Sequence, residues 1–388
     1  MESLDVTVAP YLPEESGIAA YTLELAEALN HAGHTVSLIG SEVQAGASVS
    51  SVINLGRSTL SFQYPFGPIF KAYIIRQLLR KMIHKSVDIV HYTSPPYVIP
   101  RNASNFRTVC SVFNYQTIVN IWRDVPSTES GVMRFIAPVG WSQFYFLDRR
   151  GIRDADGLVL TTTAAAAKVS ELSSGHSEKL IAYIPPCARP PVRPSAVDYA
   201  KGQVRLLFAE RDITRPRNNL ETVLGGLLLL PNRLKPTIKI DIVGNEGSRR
   251  LRELLSRVQK EDVSVTLHGR LPPMEYAKLL VECHVYISLR DIWEQASFGV
   301  IQALSAGLCA IVSRRPSYAD IIRDQVNGFK IDPHSPEELA KVLMRIADDR
   351  ALLADLACRS REYWSKKFSP TRVAAQLAEF YLRLLDGR

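Results

Sequence analysis

The sequence predicts an α/β protein of two doubly wound, Rossmann-like domains, and three observations carry that expectation. Short apolar runs rich in β-branched residues alternate with helical periodicity through both halves, the pattern of successive βαβ units. A proline cluster (Pro185-Pro186, Pro190-Pro191, Pro194) interrupts the alternation near the middle, where a helix cannot continue and a hinge is expected. At 388 residues the chain is long enough for two cores of ordinary size.

Composition narrows the classes of function. The chain is 46% hydrophobic and 22% charged, a globular balance with no low-complexity tract. A formal charge of +8 is moderate at this length and suits anionic ligands such as diphosphates or anionic lipid, not the concentrated charge of a nucleic-acid binder. Five scattered cysteines, mostly inside apolar runs, point to reduced core thiols rather than a disulfide or zinc framework. No run reaches the ~18 apolar residues of a membrane span, and Met1-Glu-Ser-Leu-Asp5 lacks the basic start of a signal peptide. A cytoplasmic protein is expected, soluble or peripheral to a membrane.

The first half opens with a strand, Asp5-Val-Thr-Val-Ala9, followed by the loop Pro13-Glu-Glu-Ser-Gly17 and an amphipathic helix from Ile18. Gly33 ends that helix and Thr35–Ile39 is the next strand. Ser16 and Gly17 stand at the first turn, where an anion can approach backbone N–H groups, but the G-x-G-x-x-G spacing of a nicotinamide site is missing. Between Glu42 and Asp88 there is no acidic residue, and residues 66–85 read as a basic helix with one apolar side. Such a helix either packs that side into the core or docks on anionic lipid. Strands are expected at Val87–His91, Thr108–Val112, Ala155–Thr161 and Lys179–Pro185.

The second half restarts with the strand Val204–Phe208, followed by Arg211, Arg215 and Arg217 before a helix from Leu220. Guanidinium groups at a strand end suit phosphate oxygens. Strands follow at Ile238–Gly244, Val263–His268 and Val285–Leu289. The stretch Trp293-Glu-Gln-Ala-Ser-Phe-Gly-Val-Ile-Gln-Ala-Leu-Ser-Ala-Gly307 then gives a carboxylate, a turn of small residues and a short helix that Gly307 can terminate in the left-handed conformation. Leu308–Val312 reads as a buried strand. A carboxylate in such a strand-to-helix turn sits where open α/β sheets place ligands.

These residues resemble the signature of the large family of retaining, nucleotide-sugar-dependent glycosyltransferases of GT-B fold, the family-4-like "glycosyl transferases group 1". Glu294, Ala303 and Gly307 match it, while Gln302 stands in place of its second glutamate. Asn327-Gly328 matches its closing strand, and Ser16-Gly17-Ile18 its first loop with one glycine where two are usual. The resemblance implies two Rossmann-like domains facing across a cleft: 1–190 on the acceptor side, a linker at 191–203, 204–368 for the donor, and a helix at 369–388 crossing back. It implies sugar transfer from a UDP- or GDP-sugar to a hydroxyl of a glycan or lipid-linked acceptor. Arg211 and Arg217 would neutralise the leaving diphosphate, with Arg215 as the alternative to Arg217, and backbone at Ala296, Ser297 and Phe298 would assist. Glu294 would hold sugar hydroxyls, Gln302 the ribose, and Arg270 and Leu271 the base.

On the acceptor side the resemblance offers only Ser16, His91 and Asn114, because Phe113-Asn114 replaces the His-Asp pair of many relatives; a structural role for His91 competes. Asp154-Ala-Asp156 is formally D-x-D, a metal–diphosphate motif of a different glycosyltransferase fold, but it precedes a buried strand and reads as structural. No cofactor and no metal ligands are expected. Gln302 and Phe113 keep two other readings open: a non-catalytic homologue that binds a sugar nucleotide or serves as a partner subunit, and a nucleotide-sugar epimerase on the same fold.

Overall fold

The computed structural model describes residues 3–11, 16–40, 47–54, 86–93, 106–112, 133–166, 169, 179–191, 199, 202–213, 215–245, 249–291 and 297–387. The basic stretch 66–85 lies outside them. The chain divides into two compact units, one built on Met1–Ala188 and Phe368–Arg388, the other on Arg189–Trp293 and Ser297–Lys367.

The first unit contains β1 (Asp5–Tyr11), α1 (Ser16–His31), β2 (Thr35–Gly40), β3 (Ser51–Asn54), β4 (Ile89–Tyr92) and β5 (Arg107–Val112). It continues with α2 (Met133–Asp154), β6 (Gly157–Leu160) and β7 (Leu180–Tyr183). The strands form one parallel sheet in the order β3-β2-β1-β4-β5-β6-β7. Val6, Val8, Ile89, Val90, Val109, Leu158 and Val159 are fully buried, as expected of strands covered on both faces. Gly33, at φ +94°, ends α1 in the left-handed region. The carboxylate of Asp156 accepts hydrogen bonds from the Thr108 amide (2.7 Å) and hydroxyl (2.6 Å), so the D-x-D stretch joins β5 to β6. Lys179 Nζ donates to the carbonyls of Ile152, Arg153 and Ala155, closing the C-terminus of α2.

The second unit contains β8 (Val204–Asp212), α3 (Leu220–Leu228), β9 (Ile238–Asn245), α4 (Arg249–Lys260), β10 (Ser264–Leu267) and α5 (Pro273–Glu282). After these come β11 (Val285–Ser288), α6 (Phe298–Ser305), β12 (Cys309–Ser313), β13 (Gly328–Ile331), α7 (Pro336–Asp348) and α8 (Arg350–Lys367). Its sheet is also parallel, ordered β10-β9-β8-β11-β12-β13. Val204, Leu206, Phe208, Ile240, Ile242, Val285 and Ile287 form a core with Leu224 and Leu227 of α3 and Leu339 and Leu343 of α7. Ser335 caps α7 by accepting from the Glu338 amide at 3.1 Å, with Pro336 in the first turn. Gly307, at φ +73°, ends α6, and Leu308 N donates back to Ala303 O at 2.9 Å.

The last helix, α9 (Pro370–Asp386), belongs to the first unit. Its Tyr381 hydroxyl lies 2.5 Å from Nδ1 of His91, whose Nε2 is 2.7 Å from the Ser111 hydroxyl; Ser111 in turn meets the Tyr21 hydroxyl at 2.9 Å. All four residues are buried. A neutral imidazole has one donor and one acceptor, which two hydroxyls satisfy. Burial pushes the His91 pKa down to about 3.

That shift has a defined consequence for stability. The unfolded chain takes up the His91 proton near pH 6.5, while the folded chain resists until about 3. The contribution is therefore complete above pH 6.5 and is lost as pH falls through this window, at up to about 1.4 kcal/mol per pH unit. Urea denaturation of His91→Gln should show a shallower loss of stability between pH 7 and 4 than wild type. Parallel profiles would mean that His91 is not the group being titrated.

Candidate functional site

The site starts from an irregularity in β8. Sequence periodicity ends this strand at Phe208, yet it continues to Asp212, and its pairing with β9 shifts register between Ala209 and Asp212. Glu210 and Arg211 occupy this bulge, beside the point where strand order reverses between β8 and β11. The facing residue of β9 is Gly244, at φ +147°; a Cβ there would come within 2.0 Å of the Glu210 carbonyl oxygen. Only glycine admits this approach.

Arg211 is exposed on the bulge. The Glu210 side chain is 12% exposed, and its Oε1 is 3.7 Å from Nε of Arg290. Burial raises the Glu210 pKa above the ordinary carboxylate value, and the guanidinium groups of Arg290 and Arg217 pull it back. Arg217 sits in a single 3-10 turn, Pro216–Asn218, that two asparagines fasten in place. Asn218 Nδ2 donates to the Asp212 carbonyl at 2.6 Å, and Asn219, left-handed at φ 54°, sends Nδ2 to the Leu289 carbonyl at 2.8 Å. The Asp291 amide closes the arrangement on the Arg217 carbonyl at 2.7 Å. The two candidates for the second arginine separate here: the charge of Arg217 favours the ionised form of Glu210, whereas Arg215 pairs with Asp212 at 3.3 Å.

Beneath this edge lies a layer of phenols. Tyr286 donates from its hydroxyl to the Ala209 carbonyl at 3.2 Å and bonds Tyr276. Tyr318 meets the Ser288 hydroxyl at 2.9 Å and that of Ser297, which opens α6. Burial pushes the Tyr318 pKa up to about 12. Ser297 and Phe298 are buried, and within α6 only Gly299 and Gln302 reach the surface, one turn apart on one stripe. A Cβ on Gly299 would stand 2.5 Å from the Tyr286 hydroxyl. Arg270 is exposed and Leu271 half-buried in the turn after Gly269, whose carbonyl accepts from the Gly244 amide at 2.8 Å. His268, just before that turn, holds the buried Asp241 at 2.8 Å.

In the second unit Arg211, Arg217, Arg270, Leu271 and Ser297 stand at the carboxyl ends of strands or in the loops that follow them, and Phe298 and Gln302 in the first two turns of α6. Glu294 and Ala296 lie outside the described residues, as does Asn114. In the first unit Ser16 begins α1, and Gly17 is exposed with open space where a Cβ would be. His91 requires a correction: an acceptor-side histidine must reach a ligand, but this one is fully buried with both ring nitrogens engaged. Among the described residues no three His, Cys, Asp or Glu side chains gather as a metal site.

Sequence reasoning missed Glu210 and Arg290 as a pair, and it missed Asp291. The Asp291 carboxylate takes Arg315 on one oxygen and His334 Nε2 at 2.9 Å on the other, joining the exits of β11, β12 and β13. The available signal was the charged dipeptide Arg290-Asp291 directly after an apolar strand.

Two parallel, doubly wound sheets define the architecture class of the GT-B glycosyltransferases. Two family models match the chain: "Glycosyl transferase 4-like domain" over residues 16–187 and "Glycosyl transferases group 1" over 199–365. The chain belongs to this glycosyltransferase family. Sucrose-phosphate synthase from Thermosynechococcus elongatus is similar at TM-score 0.69 and 16% identity, over 100% of this chain and 96% of that one. Anabaena Alr3699/HepE in complex with UDP gives TM-score 0.67 and 15% identity, over 98% and 99%. WaaG, a glycosyltransferase involved in lipopolysaccharide biosynthesis, gives TM-score 0.65 and 15% identity, over 96% and 97%. At such identities the likeness shows the fold. No curated protein matches the sequence.

The contact between Gly299 and Tyr286 is directly testable. Gly299→Ala should destabilise the protein by about 1–3 kcal/mol, the usual cost of overpacking. Tyr286→Phe, which removes the hydroxyl, should recover part of that loss in the double variant. Chemical denaturation of all four proteins reads the cycle, and strict additivity would place the clash elsewhere.

Proposed function

We propose that the protein transfers a sugar from a UDP- or GDP-sugar to a hydroxyl group of a glycan or lipid-linked acceptor, with retention at the anomeric carbon. The observation that carries this reading is the pair Arg211 and Arg217, set on a bulge and a fastened turn at the sheet's switch point. The departing diphosphate is the charge that must be stabilised, and pre-positioned guanidinium groups do so without reorganising. Glu210 holds Arg290 at 3.7 Å, and its carboxylate lies within the field of Arg217. Backbone N–H groups at Ser297 and Phe298, opening α6, assist.

Gln302 reaches the ribose from the half-buried stripe of α6, and the turn at Arg270-Leu271 lies against the base. Glu294 holds the sugar hydroxyls. The protein alone balances the diphosphate charge, so transfer proceeds without a metal. UDP in the HepE complex, and UDP with GlcNAc in the pneumococcal O-GlcNAc transferase GtfA, support a nucleoside diphosphate leaving group. Free cysteines among the described residues, four of them buried, fit a cytoplasmic setting.

Arg211→Ala combined with Arg217→Ala should weaken binding of nucleoside diphosphate far more than of nucleoside, since each charge-assisted hydrogen bond is worth about 1.5–3 kcal/mol. Isothermal titration measures both, and equal losses would displace the phosphate site. Transfer should persist in chelator; its loss there, with rescue by Mn²⁺, would overturn the metal-free mechanism.

Gln302→Ala should cost about 1 kcal/mol of donor affinity, a neutral hydrogen bond, and Gln302→Glu should change it by no more than about tenfold. Glu294→Ala should abolish transfer with nucleotide binding retained. If wild type binds no nucleotide sugar while Gln302→Glu acquires binding and transfer, the chain is a non-catalytic homologue. Donor conversion without any acceptor would identify an epimerase instead.

A further inference from the structure

The sheet of the second unit buries a charge cluster outside the residues assigned to the donor. On β8 and β9, Leu206, Phe208, Ile240 and Ile242 face the apolar core, so Arg205, Lys239 and Asp241 fall on the opposite face. Asp241 is fully buried there. Its Oδ2 accepts from Nε and Nη2 of Arg205 at 3.3 and 3.0 Å. Its Oδ1 accepts from Nε2 of His268 at 2.8 Å, with Lys239 Nζ at 3.7 Å. A carboxylate only accepts, so the imidazole carries a proton on Nε2 and directs it at Asp241.

Such a cluster adds little to stability, since apolar residues of the same volume would hold a sheet as well. What it provides is position, and its outer members converge on one segment of chain. His268 leads directly into the turn Gly269-Arg270-Leu271, where Gly269 is left-handed at φ +66°. Arg205 sends Nη1 to Glu282 at 2.7 Å, at the far end of α5, the helix that follows this turn. Asp241 thereby braces the segment at both ends. The backbone adds two bonds: His268 N donates to Ile242 O at 2.9 Å, and Gly244 N to Gly269 O at 2.8 Å. Gly244 also admits the close approach of Glu210, so the turn and the bulge that carries Arg211 share one support.

We propose that His268 is a positioning residue for the nucleobase, given that Arg270-Leu271 forms the base side of the site as proposed above. Asp241 fixes the imidazole, and the imidazole fixes the Gly269–Leu271 turn on which the base packs. His268 acts through the backbone that follows it, its Nε2 being committed to Asp241. The carboxylate makes this bond charge-assisted, which gives it a shorter and more directional hold than a neutral pair would.

Isothermal titration of the full chain with UDP, GDP and inorganic pyrophosphate tests this, together with hydrogen exchange at the Arg270 and Leu271 amides without ligand. His268→Leu should speed that exchange and narrow the preference between UDP and GDP. It should also weaken the better-bound nucleoside diphosphate by at least about tenfold, the worth of one charge-assisted hydrogen bond. Pyrophosphate, which has no base, should bind as it does to wild type. His268→Gln, whose amide donates at the same reach, should restore affinity to within about threefold. His268→Asn, one bond too short, should behave like His268→Leu, and it carries the comparison if thermal unfolding shows that His268→Leu is misfolded. Unchanged exchange in His268→Leu and His268→Asn would overturn the proposal, because the imidazole would not be holding the turn. Equal losses for pyrophosphate and nucleoside diphosphate would overturn it too, leaving only general support of the sheet. Faster exchange with unchanged UDP and GDP affinity would separate the turn from the base, and wild type that binds neither nucleotide would remove the donor reading itself.

Discussion

Almost everything at the candidate site depends on how β8 leaves its sheet. A parallel strand normally ends where its neighbours end, and the chain then turns away. Here β8 gains an irregular step at Glu210-Arg211, which is possible only because Gly244 lets the backbone come close. The bulge turns one side chain down toward Arg290 and leaves the next exposed. The following turn is then tied to the far side of the switch point through Asn219 and the Asp291 amide. Removing the bulge would leave Arg211 and Arg217 without a common frame.

The two buried polar systems solve one problem in different ways. In the first unit a neutral histidine among three hydroxyls needs no charge, and burial keeps it neutral. In the second, a carboxyl is buried where ionisation is costly, and two arginines offset that cost. A neutral network contributes mainly a fixed geometry. A charged one also fixes where guanidinium groups stand when an anion arrives, which gives the second arrangement its chemical interest.

The fold was legible because parallel strands buried on both faces read as β-branched runs, and Val204–Phe208 or Leu308–Val312 resemble little else. The strand Ser51–Asn54 was not legible, since at the sheet edge only Ile53 packs against the core and four residues are too few to show an alternation. The arginines of the site could be read from their place after a strand. Their partner could not, because Glu210 and Arg290 are distant in sequence and meet only through sheet order. His91 shows the converse: a histidine at a strand end invites a functional reading, and only burial reveals hydroxyls on both of its nitrogens.

The buried contact between His91 and Tyr381 spans 290 positions of sequence. On the ribosome, everything His91 needs from its own half has emerged long before α9 is made. At roughly 5–20 residues per second, the wait is of the order of tens of seconds. Throughout it the nascent first unit must keep an imidazole and the apolar flank of α1 uncovered, while the second unit can close on its own contiguous segment. The vulnerable stage of biogenesis is therefore the beginning of the chain, held open until its end is translated, and a truncation of the last helix would harm the half that was synthesised first.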